Sequence, residues 1–373
     1  MKLAIAVIRP FHATLMANSL HKRGQTVHIL TSAPRPYFKG LDSAIGIRLI
    51  PAPVQIFRRI LPLQLPESAE RHGLAFWDRM VAAALPPTDV VVGFATQTLA
   101  TGQRAKSRAG RFLLDRACPH VDFQQAILRE EAERVGARYL PQPPWFRDRQ
   151  LEEYALADSI LVPSNYTSAS FPPDLRHKLV LAPLLGRELG LPTLPAARDG
   201  VFTVGVLGGN PLRKGYLYLL QAWKQLALPN ARLLIRNQSD FAQYPRLHEL
   251  LRQLPNVEFA GYIDDISSFY SRCDVFCLPS VDDGFGMALS EAMAHGLPSV
   301  ATSHCGASEL MTDGVDGLVV PARDPDALAQ ALLSLYRDPA LRKSIGEAAR
   351  QTSTRIAQQG LYENALMSAV SGN

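Results

Sequence analysis

DVFCLPSVDDGFGMALSEAMAHGLP, residues 274–298, is the stretch that decides the reading of this chain. A hydrophobic strand, Val275–Leu278, runs into a Pro-Ser turn and two aspartates, Asp282 and Asp283. Gly284-Phe285-Gly286 follows, then a short helix with one acid, Glu291. The helix ends at Gly296-Leu297-Pro298, and Ser299–Thr302 resumes as a strand. A strand, a glycine loop and a helix in that order aim backbone N–H groups and the positive end of a helix dipole at one spot. Glycine lets the backbone come close to whatever lies there. With Asp283 on the loop and Glu291 one turn into the helix, the opening suits a ligand with phosphate in its middle and hydroxyl-rich groups at both ends. A carboxylate such as Glu291 can accept two hydrogen bonds from a vicinal diol.

Upstream, residues 202–215 read FTVGVLGGNPLRKG. A strand ends at Gly208-Gly209, and two cations, Arg213 and Lys214, precede a helix. Cations oppose the dipole at a helix N-terminus and so call for an anion there. Beside exposed amides they would neutralise a leaving diphosphate. Read alone, Arg213-Lys214 is an ordinary solvated pair, and Asp282-Asp283 ordinary turn chemistry. Together the two segments make a site.

Working outward, strand and helix alternate through the chain. Lys2–Ile8, Thr26–Thr31, Ile45–Pro51, Asp89–Phe94 and Arg111–Asp115 read as strands, and Phe11–Lys22, Glu67–Leu85 and Val121–Val135 as helices. Further segments at Glu152–Ala157, Ser159–Pro163 and Lys178–Ala182 complete the first half. Phe202–Leu207, Ala231–Arg236, Val257–Phe259 and Leu318–Val320 extend the pattern, with helices at Gly215–Leu226, Pro325–Tyr336, Pro339–Gln351 and Arg355–Ala369. Strands apolar throughout and separated by helices indicate parallel sheets covered on both faces. The aperiodic segment GRELGLPTLPAARDG reads as a linker over 186–200. The expected architecture is α/β: two Rossmann-like, doubly wound parallel-sheet domains facing across a cleft. The first takes 1–185 plus a C-terminal helix at about 355–373, and the second takes 201–354. Ligands of such sheets bind at the strands' carboxyl ends.

Bulk properties agree. A chain of 373 residues is comfortable as two domains, and 47% hydrophobic with 20% charged residues is globular. A net charge of +5 favours anionic partners. The four cysteines lack zinc spacing and read as free thiols in a reducing compartment. MKLAIAVIRP reads as a first strand rather than a signal peptide, and no apolar run would cross a membrane. A cytoplasmic protein is expected, with peripheral contact at the inner membrane face allowed. Two basic stretches, Val54–Leu65 and Gln103–Arg111, could meet an anionic surface. Prolines at 62 and 66 interrupt any amphipathic helix in the former, which favours an ordinary loop.

DDGFGMALSEAMAHGLPSVATSHCGASELMTDGVDGLVVPARDPDAL resembles the donor-site signature of the family 4 glycosyltransferases, retaining enzymes of the GT-B fold. The likeness runs from Val204 to Arg350. It extends to His120, Gln124, Leu128 and Glu131, and to Glu152–Asp158 with Val162-Pro163-Ser164. The resemblance implies transfer of a sugar from a nucleoside diphosphate, UDP first and GDP second, to a glycan or lipid-linked glycan hydroxyl. It implies that Glu291 holds the ribose and that Asp283 with the Gly284, Phe285 and Gly286 backbone holds the donor sugar. Arg213 and Lys214, beside Gly208 and Gly209, would hold the diphosphate. Tyr262 and Ile263 would lie against the base. His120 would approach the sugar, a role weighed against simple local packing. The departing phosphate would take the acceptor's proton. No metal, no cofactor and no nucleic acid partner are expected. This chain departs from the pattern at Asp283, where many members have glutamate, and at Gly209, where many have arginine. It departs again at Arg9-Pro10-Phe11-His12-Ala13, which replaces a glycine-rich turn.

Neither G-x-G-x-x-G nor GxxxxGK[ST] occurs after a strand, which argues against dinucleotide oxidoreductases and P-loop NTPases. A sugar-phosphate epimerase on the same fold and a non-catalytic nucleotide-sugar-binding subunit stay open as alternatives.

Overall fold

The computed structural model describes residues 1–52, 66–184, 200–237, 241–261 and 266–372. The basic stretch at 54–65 and nearly all of the expected linker, 186–199, lie outside the described residues.

Two parallel sheets organise the chain. The first has seven strands: β1 (Lys2–Val7), β2 (Thr26–Thr31), β3 (Gly46–Leu49), β4 (Val90–Phe94), β5 (Arg111–Asp115), β6 (Ser159–Val162) and β7 (Leu179–Leu181), in the order β3-β2-β1-β4-β5-β6-β7. The second has six: β8 (Phe202–Leu207), β9 (Ala231–Arg236), β10 (Val257–Phe259), β11 (Val275–Leu278), β12 (Ser299–Thr302) and β13 (Leu318–Val320), in the order β10-β9-β8-β11-β12-β13. Buried aliphatics face each other in register: Ile5 pairs with Ile29 and Val92, and Val204 with Leu233 and Val275. Burial on both faces explains why these strands read as unbroken apolar runs.

Both sheets share one winding. Each starts in the middle, builds to one side, then crosses to the other. β1 therefore neighbours β4, and β8 neighbours β11, without being consecutive. At such a switch point the loops leaving adjacent strands diverge and open a crevice. The turn Arg9–His12, the loop 95–98, the segment 208–215 and the loop 279–286 all sit at these two points.

The carboxyl end of the chain returns to the first sheet. One helix runs over Pro339–Gln359 and stops at Gly360, whose φ of 58° is left-handed. A second helix, Leu361–Ser371, then packs on the helix Ala13–Lys22. Tyr362, Leu366, Ala369 and Val370 join the same core cluster as Leu3, Ile5 and Met16. The expected break near residue 352 is absent. Thr352 is buried, and its hydroxyl donates to Asp316 at 2.7 Å, so this β-branched residue is held inside the helix. The break falls at glycine instead, as helix termini favour.

Among the described residues five α-helices went unanticipated: Leu99–Ser107, Pro144–Leu156, of which only a segment at Glu152–Ala157 was marked, Asn165–Ala169, Pro245–Arg252 and Ile266–Ser271. The basic stretch at Gln103–Arg111 is thus the end of a helix and the start of β5. Three of its four cations are tied to the protein: Lys106 to Asp158, Arg108 to the Leu85 carbonyl and Arg111 to the Val370 carbonyl. Among the described residues no helix is long and apolar enough to cross a membrane. All four cysteines are free.

Candidate active site

The segment leaving β8 and the loop leaving β11 are strapped by backbone bonds. The Arg213 carbonyl accepts from the amides of Val281 at 2.8 Å and Asp282 at 3.2 Å. This strap aligns the two cations with the two aspartates. Arg213 Nε donates to Asp282 Oδ2 at 3.1 Å, and Lys214 Nζ pairs with Asp283 Oδ2. Burial works to raise the Asp283 carboxyl, but the Lys214 and Arg213 charges outweigh it and hold it below its ordinary value. Gly208 and Gly209 sit at the start of the same segment. A Cβ at Gly208 would run into the Lys214 side chain, whereas one at Gly209 would meet nothing within 4 Å. The four charges that the sequence singled out separately therefore form one paired cluster.

The two aspartates differ. Asp282 is fully buried, and both its oxygens are engaged. Oδ2 also accepts from Gln124 at 2.8 Å, and Oδ1 accepts from the Tyr166 hydroxyl at 3.2 Å. Gln124 and Tyr166 belong to the first domain, so Asp282 ties the domains together and has no oxygen left for a ligand. Asp283 keeps an exposure of 8%.

Gly284 makes the closest interdomain contact of the loop. A Cβ there would lie 2.1 Å from the Ala117 carbonyl oxygen, so only glycine fits. Its own carbonyl accepts from Ser164 Oγ at 2.6 Å and Thr167 Oγ1 at 3.0 Å. Nearby, Glu309 accepts from the amides of Asn165 and Tyr166 at the start of Asn165–Ala169.

Gly286 caps the helix Met287–Ala294 with a φ of 86°, a left-handed value that an ordinary residue resists. Glu291 stands just past the first turn. Its Oε2 accepts from the Tyr270 hydroxyl at 2.9 Å, and the Tyr270 ring lies tilted against His295, with centroids 4.8 Å apart. Burial, then the Glu291 charge, pushes the Tyr270 phenol well above its ordinary value, so it stays a donor. The Phe285 ring is buried in the core. Tyr262 and Ile263 lie outside the described residues.

His120 caps the helix Val121–Arg134, with Nδ1 accepting from the Asp122 amide at 3.3 Å. Its ring packs between Tyr154 and Phe171. Among the described residues all its partners belong to its own domain, and Nε2 is buried with none. Burial holds its pKa below 6.5. Among the described residues no three His, Cys, Asp or Glu side chains converge as a metal site requires.

Across the cleft, the first domain carries a cavity of about 500 Å³. Phe11, Leu74, Trp77, Gln97, Trp145 and Phe146 line it. Among the described residues the buried Trp145 Nε1 has no partner. The sequence pointed to this side only through the unusual turn at 9–13. The supporting residues Tyr270, Tyr166 and Thr167 gave no sequence signal, because each acts through a contact distant along the chain.

Two interlocked Rossmann-like sheets with a charged glycine loop between them define a GT-B protein, and the comparisons agree. Over 98% of this chain and 96% of the other, the structure aligns with sucrose-phosphate synthase from Thermosynechococcus elongatus, with a TM-score of 0.73 and 21% identity. Anabaena HepE in complex with UDP-glucose aligns over 100% and 98%, with a TM-score of 0.70 and 17% identity. Likeness at these identities speaks for the fold alone. Residues 198–338, most of the second domain, match the family model described as Glycosyl transferases group 1. The capsular polysaccharide biosynthesis glycosyltransferase CapM of Staphylococcus aureus is 30% identical over 171 residues, 43% of this chain and 44% of that protein. The chain spans about half the length of the curated relatives it matches.

Proposed function

We propose that the protein transfers a sugar, with retention, from a nucleoside diphosphate sugar to a hydroxyl of a glycan or lipid-linked glycan. One observation carries the reading: Arg213 and Lys214 converge with the Asp283–Gly286 loop at the switch point of the second sheet. In this reading the diphosphate lies over Gly208 and Gly209 against the two cations, where Gly209 leaves open space. The cations neutralise the charge that grows on the departing phosphate, which is the role a metal plays in other phosphate chemistry. Lys214 shares its charge between Asp283 and the phosphate, and Asp283 turns an oxygen to the donor sugar. Glu291, held by Tyr270, grips the ribose diol. A neighbouring fold crystallised with UDP-glucose favours UDP as the carrier. On the acceptor side, the flat apolar walls around Trp145 suit a sugar ring or the stem of an amphipathic glycan.

Titration calorimetry with UDP tests the donor site. Glu291→Ala should weaken binding roughly ten- to a hundredfold, the range expected for losing hydrogen bonds to a charged group. Unchanged affinity would remove Glu291 from the ribose and undo this orientation of the nucleotide.

A further inference from the structure

The loop 95–98 leaves β4 at the switch point of the first sheet, and its backbone is strained. Thr96 has a φ of 77°, a left-handed value that a β-branched residue rarely takes. Such a conformation persists only where its surroundings impose it, and imposed strain clusters at functional positions. Here the helix Pro144–Leu156 imposes it. Glu153 Oε2 accepts from the Thr96 amide at 2.5 Å, and Oε1 accepts from the Thr98 amide at 2.8 Å. Arg149 Nε donates to the Thr96 carbonyl at 2.7 Å, and the same guanidinium pairs with Asp78 of the helix Glu67–Ala84. Glu153 and Asp78 are fully buried. Withdrawing two carboxyls and a guanidinium from water is expensive, and a four-residue turn does not require it.

The strained turn borders the cavity around Trp145, where Thr96 and Gln97 both belong to the lining. The Gln97 side-chain oxygen accepts from the Ile8 amide at 2.8 Å, which leaves its NH₂ group as a donor. Among the described residues neither that nitrogen nor Thr96 Oγ1 has a hydrogen-bond partner. The two charged residues of the lining, Arg9 and Glu70, are opposite in sign. A cavity with apolar walls, balanced charge and polar groups left over sorts neutral ligands by where their hydroxyls lie.

We infer that Thr96, with the Gln97 side-chain amide, is the specificity-determining residue for the acceptor, and that Glu153 is its positioning residue. The inference rests on the sugar-transfer reading and deepens its acceptor side. A sugar ring lies flat on the aromatic wall, as any epimer can. Thr96 Oγ1 and the Gln97 NH₂ group then each bond one ring hydroxyl, and an epimer that turns that hydroxyl away loses the bond and leaves a polar group unsatisfied. Glu153 acts on the ligand only through the Thr96 and Thr98 amides, which it holds so that the turn keeps its shape.

Two of the chain's three tryptophans, Trp77 and Trp145, line this cavity, so binding is read from tryptophan emission. Methyl glucoside, methyl galactoside and methyl mannoside are titrated into UDP-loaded protein, and nucleotide release from UDP- and GDP-sugars is assayed alongside. The wild type should prefer one epimer. Thr96→Gly should melt no lower than the wild type, because glycine takes the left-handed turn freely. It should bind the preferred epimer roughly three- to tenfold more weakly, the worth of one hydrogen bond, narrow the preference by the same factor and leave UDP affinity unchanged. Glu153→Gln should also weaken the preferred epimer, and should do so less in the Thr96→Gly background than alone, since glycine needs no fastening. An epimer preference untouched by Thr96→Gly overturns the specificity role, as does a cavity that none of the three glycosides enters. Equal losses from Glu153→Gln in both backgrounds overturn the positioning role. Glycoside binding that responds to Thr96 in a protein that releases nucleotide from none of the donors overturns the transfer reading and keeps the turn as a reader of sugar hydroxyls.

Discussion

The two sheets have the same strand order, yet their switch points are furnished in opposite ways. Beside β8 and β11 stand four charges in paired contact, Arg213 with Asp282 and Lys214 with Asp283. Beside β1 and β4 stand aromatic walls with Arg9 and Glu70 among them, and a buried imidazole–carboxylate pair, His12 with Asp115, at their edge. Fixed charges suit a ligand whose middle is anionic whatever its ends. Broad aromatic walls suit a partner that offers a flat apolar face. In the proposed reading the same scaffold separates recognition of a phosphate from recognition of a carbohydrate face.

Three measurements would break or sharpen that contrast. The largest effect belongs to the charged side. Lys214→Ala should reduce turnover about 10²–10³-fold, because a cation facing developing phosphate charge acts mainly in the transition state. A rate equal to the wild type would leave the charged cluster a purely structural device. A smaller effect is expected on the aromatic side. Trp145→Ala should raise the acceptor KM roughly tenfold, as loss of one large apolar contact implies, and leave UDP affinity alone. Weakened UDP binding in that variant would blur the division between the two faces. The smallest effect concerns His120. Burial keeps its folded pKa below the ordinary 6.5, so between that folded value and 6.5 the unfolded chain binds more protons. Its stabilising contribution is complete above pH 6.5 and is lost as pH falls through that window. His120→Gln should therefore show a flatter decline of Tm as pH falls below about 6.5. An undiminished slope would assign that decline to other groups.

The contrast also governs how much was legible beforehand. The charged side sits in one loop and one turn, so Asp283, Gly284, Gly286, Glu291, Arg213 and Lys214 could be picked out from local spacing. The doubly wound pattern was equally plain, since buried parallel strands announce themselves as apolar runs. Helix Leu99–Ser107 was not. Its amides at Ala100 and Thr101 are capped by the Asp78 carboxylate from an earlier helix, and no local residue signals that. His12 and Asp115 lie 103 positions apart, and nothing in either neighbourhood marks them as partners. Asp282 shows the reverse limit. Its neighbour Asp283 is of the same residue type, and only the contacts with Gln124 and Tyr166 reveal that one acid fastens domains while the other borders the opening.

The Glu309 carboxylate, gripping the amides of Asn165 and Tyr166 from across the cleft, behaves as a clasp. Any swing that parts the sheets on that rim must first undo it, along with the hydroxyls of Ser164 and Thr167 on Gly284. Bonds to a charged group of this kind are worth roughly 1.5–3 kcal/mol each. In the proposed reading, opening the cleft to exchange ligand means breaking this clasp, so a variant without it should exchange faster and close less firmly.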